Sequence, residues 1–109
     1  MNEVVDSRQM LAFVTIAIQG SLKAAALRLH LTESALSHSL KNLEENLGVK
    51  LFERDSKRLV LSEVGHLALE DAVQILENMQ LLRDRMQFES ATKQKTIRIV
   101  VGPSFFRFY

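Results

Sequence analysis

The chain of 109 residues contains no cysteine, which excludes disulfides and thiolate-bound metals. Long apolar runs are missing too: the most hydrophobic stretches are short and interrupted by charge, so neither a signal peptide nor a transmembrane span is expected. Without a targeting segment the expected location is the cytoplasm, with no membrane partner. Charge of one sign is also scarce. The net charge is +1, and residues 1 to 60 carry eight Lys/Arg against seven Asp/Glu. A polyanion would therefore have to be held by local clusters and not by a bulk field. Finally, the means of catalysis are sparse. His30, His38 and His66 are scattered with no carboxylate at metal-ligand spacing, and no glycine-rich phosphate loop is present. Ser37 and His38 are adjacent, so on a helix they point about 100° apart and cannot act as nucleophile and base. No catalytic residue, metal or cofactor is expected, and Glu44 and Glu45 read as helix-surface charges.

What is present is a globular composition, 47% apolar, with room for one compact domain and a protruding helix. Asp6 with Gln9 makes a capping box, and Val5 with Met10 a hydrophobic staple, for a first helix reaching about Gln19. Its apolar positions are Met10, Phe13, Val14, Ala17 and Ile18, and Gly20 breaks it. Ser21 caps a second helix in which Ala24, Ala25 and Ala26 are small enough for a close helix crossing. After a tight break, Thr32 caps a third helix that Gly48 ends. At 100° per residue, Leu36, Leu40, Leu43 and Leu47 form one narrow stripe toward the core. The other face carries Ser34, Ser37, His38 and Lys41, short hydrogen-bonding groups and one cation. A solvated surface would look the same, but the arrangement is that of a helix-turn-helix whose second helix fits the DNA major groove.

Beyond Gly48, Leu51-Phe52-Glu53-Arg54 and Leu59-Val60-Leu61 flank Asp55-Ser56-Lys57-Arg58. This reads as a β-ribbon, or wing. Lys50, Arg54, Lys57 and Arg58 make it locally basic, as a clamp on the DNA backbone would be. Ser62 then caps a long helix to about Phe88. Along it Ala68, Ala72, Ile75, Met79, Leu82 and Met86 recur at spacings of four and three, a heptad seam, with Leu69, Val73 and Leu76 in a second row beside it. So broad an apolar face calls for two partners: the row packs on its own domain and the seam on a second chain. The competing arrangement is an ordinary core helix of a monomer. The expected fold is thus mainly α: a winged helix-turn-helix over 1–61, a dimerisation (linker) helix over 62–88, and a remainder over 89–109.

Phe13, Gly20-Ser21, Ala25-Ala26, Leu29, Thr32, Ser37, Leu43-Glu44, Leu47-Gly48, Leu51-Phe52-Glu53-Arg54, Leu61-Ser62 and Gly65 stand in the order and spacing of a known pattern. With these residues the chain resembles the N-terminal part of a LysR-type transcriptional regulator. The resemblance implies dimerisation through the linker helix, binding of an interrupted inverted repeat, and a following sensor domain for a small-molecule effector. The candidate DNA contacts are Ser21, Lys23, Thr32, Glu33, Ser34, Ser37, His38, Lys41, Arg54, Lys57 and Arg58. Ser37, His38 and Lys41 are expected at or near base edges, and the wing cations on phosphates. The family usually has Gln and Pro where this chain has Glu33 and Ser34, and Arg where it has His38. Glu33 would either repel the DNA backbone or select cytosine.

Residues 96 to 102, Thr-Ile-Arg-Ile-Val-Val-Gly, have a strand pattern, and with Pro103-Ser104 they resemble the start of the family's sensor domain. Residues 89 to 95 read as a hinge. Four of the seven aromatics lie in the last five residues with no sheet to receive them. That suggests a truncated sensor, a fragment, or a chain that borrows a partner. The expected function is a sequence-specific transcriptional regulator binding double-stranded DNA as a homodimer, with higher oligomers in a full-length parent and an effector only if the sensor is complete. The alternative is a dimerising winged-helix interaction module with little DNA affinity of its own.

Overall fold

The computed structural model describes residues 5–55 and 58–95, with side chains through residue 91. The chain divides into two units, Met1–Leu76 and Glu77–Tyr109. In the first, helix α1 (Ser7–Gln19) starts at Asp6. The Gln9 amide donates to Asp6 Oδ1 at 2.9 Å and the Asp6 amide to Gln9 Oε1 at 3.3 Å, so two otherwise orphaned donors are satisfied reciprocally. Val5 and Met10 both pack, partly buried, against the core. Gly20, at φ 82°, ends α1 by donating to the Ile16 carbonyl at 2.9 Å.

Helix α2 (Leu22–Leu29) begins at Ser21, whose Oγ accepts the Ala24 amide at 3.0 Å. It stops at His30, a left-handed residue at φ 59° that takes the place usually given to glycine. Leu31 then closes the turn by donating to Ala26 at 2.9 Å. Helix α3 (Glu33–Leu47) follows at once, capped by Thr32 Oγ1 on the Ala35 amide at 3.0 Å and ended by Gly48 at φ 76°. Strands β1 (Phe52–Asp55) and β2 (Arg58–Leu61) pair antiparallel, Phe52 opposite Leu61 and Asp55 opposite Arg58. Helix α4 (Glu63–Lys95) runs beyond the expected end near Phe88, so residues 89–95 are helical where a hinge was expected.

The core gathers Phe13 and Ile16 of α1, Ala25 and Ala26 of α2, Leu36, Leu40 and Leu43 of α3, Leu51, Phe52 and Ala72. The Phe13 and Phe52 rings meet edge to face, centroids 5.7 Å apart, so the base of the wing belongs to this core. Gly65 is the point of closest approach: a Cβ there would collide with the Leu51 carbonyl oxygen and lie 3.0 Å from Leu61 Cδ2. Ser62 completes the joint. Its Oγ donates to the Lys50 carbonyl at 2.7 Å and accepts the Gly65 amide at 2.9 Å, while its own amide donates to Leu51 at 2.9 Å.

Three expectations are corrected. On α1 the buried face includes Ala12 and Ile16, and Ile18 is 68% exposed. From Met10 to Ile18 every position but Thr15 is apolar, so periodicity alone put the face too far round the helix. Leu47 points along the right stripe but is exposed, because the core ends before the final residue of α3. The heptad seam is also divided. Ala72 is buried in its own unit's core and Ala68 packs partly against it, together with Leu69, Val73 and Leu76. Ala72 therefore has almost no surface left for a second chain. Ile75 and, in the second unit, Met79, Leu82 and Met86 remain exposed. The expected strand from Thr96 lies outside the described residues.

Candidate nucleic-acid interface

Two consecutive helix N-termini and the wing carry the expected contact residues. Burial of Leu36, Leu40 and Leu43 fixes the rotation of α3 and leaves Glu33, Ser34, Ser37, His38 and Lys41 exposed on its outer side. Ser21 and Thr32 are exposed as well, each with one lone pair committed to capping. A hydroxyl that accepts through its oxygen keeps its proton, so both can still donate to a phosphate oxygen. The free amides of a helix's first turn add to that preference for anions. Lys23 lies exposed in the first turn of α2.

On the wing, Arg54 and Arg58 are exposed; Lys57 lies outside the described residues. Arg54 stands opposite Leu59 and Arg58 opposite Asp55, so the two guanidinium groups sit on different rungs of the ribbon. His30 caps α2 and His66 is exposed near the start of α4, so neither joins His38. Among the described residues, no group of His, Asp or Glu is arranged to hold a metal ion.

Sequence reasoning missed one anchor. The Glu44 side chain is 12% exposed and not a surface charge: its Oε2 accepts the Leu51 amide at 2.8 Å, and its Oε1 lies 4.0 Å from Lys50 Nζ. One carboxylate thus fastens the last turn of α3 to the entry of the wing. The signal lay in the helical spacing, since Glu44 follows Leu40 by four residues and sits at the edge of the buried stripe. Between α3 and β1 an open groove of about 270 Å³ has Ser37, Lys41, Glu44, Lys50 and Arg54 as its polar lining.

Comparison with known proteins places this geometry. The family model described as bacterial regulatory helix-turn-helix protein, lysR family, matches residues 7–66. The HTH-type transcriptional regulator ClcR of Pseudomonas putida is 33% identical over 95 residues, which cover 87% of this chain and 32% of ClcR. The crystal structure of the CbnR_DBD-DNA complex is similar with a TM-score of 0.73 at 36% identity, over 78% of this chain and 98% of that one. The BenM_DBD/catB site 1 DNA complex gives a TM-score of 0.77 at 27% identity, over 81% and 95%. The chain spans about a third of the length of ClcR. No helix among the described residues is long and apolar enough to cross a membrane.

Proposed function

The chain belongs to the LysR family of bacterial regulatory helix-turn-helix proteins, and from that premise we propose that it binds duplex DNA sequence-specifically, α3 in the major groove and the β1–β2 wing on the adjoining backbone. It carries the DNA-binding domain of a transcriptional regulator and is not an enzyme. One observation carries the reading: α3 buries a leucine row and leaves Ser34, Ser37, His38 and Lys41 exposed, with capped N-termini at α2 and α3 and exposed Arg54 and Arg58 on the ribbon that follows. Two solved structures similar to this chain, CbnR_DBD and BenM_DBD, are complexes with DNA.

The finer assignments belong to the same proposal. A dimer joined through α4 would present two copies of α3 to an inverted-repeat operator. Residues 62–88 are its linker, and residues 89–109 lead into an effector-sensing domain in a longer form of the protein, where higher oligomers and small-molecule control would reside. The site of action is the cytoplasm. The test is duplex binding as a function of salt, followed by selection of bound sequences from a random pool. Several phosphate contacts give a steep loss of affinity as salt rises, and selection returns a palindromic motif. A second reading is favoured by the near-neutral charge and by Glu33 at the tip of α3: a dimerising module with little DNA affinity. Flat salt dependence and no enriched sequence would establish it.

A further inference from the structure

We propose that the groove between α3 and β1 is a seat for one backbone phosphate of the bound DNA, formed by Lys41, Lys50 and Arg54 with the Ser37 hydroxyl. Lys41 thereby acts on the backbone, not on a base. This rests on the reading that the chain binds duplex DNA. Three cations from three segments, the middle of α3, the α3–β1 connection and β1, line one opening of about 270 Å³. The single carboxylate among them is already engaged, because Glu44 Oε2 holds the Leu51 amide and its Oε1 is 4.0 Å from Lys50 Nζ. The groove is therefore net positive. The Lys50 side chain is 80% exposed, and an ion pair that long and that wet contributes little to stability. Lys50 is free to exchange Glu44 for a stronger anion at small cost.

The location suits the ligand. With α3 in the major groove and the wing beside it, the sugar-phosphate strand that borders the groove passes between them, over this opening. Glu44 is a positioning residue here. By holding the wing's entry against α3 it keeps Lys50 and Arg54 at the same opening as Lys41.

The experiment is a salt titration of DNA binding by the full chain and by Lys50→Ala, Lys41→Ala and Lys50→Arg, with thermal unfolding of each variant. Lys50→Ala and Lys41→Ala are expected to unfold with the parent, to weaken all operator variants by one common factor, and to flatten the slope of log K against log salt by about 0.9 each. Lys50→Arg should keep the parent slope. Parent slopes in both alanine variants would overturn the phosphate seat alone. So would a Lys41→Ala protein that loses base preference at one half-site position. A parent chain with no salt-sensitive binding would overturn the DNA-binding reading itself.

Discussion

Two glutamates, eleven positions apart on α3, meet opposite fates. Glu44 lies in the last turn with its carboxylate mostly buried against the Leu51 amide. Replacing it by Ala leaves that amide without its acceptor, which costs about 1–3 kcal/mol; Gln, with an oxygen in nearly the same place, should cost less. Urea unfolding of the two variants measures the difference, and equal stability of both with the parent would remove the anchor from the account. Glu33 is exposed at the first turn, where its charge suits the helix dipole but meets the phosphates of any bound duplex. Glu33→Gln is expected to tighten binding on every half-site, read at fixed salt over a panel of variants. Loss confined to cytosine-bearing sites would instead identify a base contact, and no change would leave Glu33 only its place at the helix end.

The elements divide the work of recognition. Arg54 and Arg58 stand exposed on the ribbon, whereas Ser37 and His38 lie on the outer face of α3. Alanine at either arginine should weaken all sequences alike. Alanine at His38 should cost about 1–3 kcal/mol and relax the preference at one position, whereas alanine at Ser37, whose hydroxyl faces the phosphate seat, should weaken all sequences alike. Competition titrations against a half-site library separate the two patterns, and a wing variant that alters preference alone would contradict the division. Element ends were legible in sequence because caps are local: Asp6 with Gln9, Ser21, Thr32 and Gly48 act where their residue types predict. The turn at His30 was not, since nothing in its residue type demands a positive φ. Faces were legible only where polar residues interrupted the apolar ones, as on α3; on α1, apolar from Met10 to Ile18 but for Thr15, Ile16 and Ile18 could not be told apart. Glu44 escaped because its partner is a backbone amide seven residues on, and a backbone amide has no sequence signature.

At the scale of the whole molecule, the length of α4 poses the question of partners. Ile75, Met79, Leu82 and Met86, spaced four, three and four apart, are exposed, unlike Ala72 before them. A second copy of α4 would cover them. Met79→Asp or Leu82→Asp would set a charge in such a seam without touching the core of the first unit, so sedimentation velocity should report folded monomers. Variants that sediment as the parent does would rule out this face as the dimer contact.

Two-stranded ribbons usually fray, since a hairpin alone is marginally stable in water. The joint formed by Glu44, Leu51 and Ser62 makes this one an exception at its base. The Leu51 amide ends on a carboxylate of α3, and the Ser62 amide on the Leu51 carbonyl beside the start of α4. Neither proton can exchange until Leu51, whose side chain is fully buried in the core, comes away from Glu44 and from Ser62. Amide hydrogen exchange at Leu51 and Ser62 should therefore be as slow as at Leu36 and Leu43, while Asp55 and Arg58, on the outermost rung, exchange quickly. The wing then melts in two registers: its outer end opens at little cost, and its root persists until global unfolding.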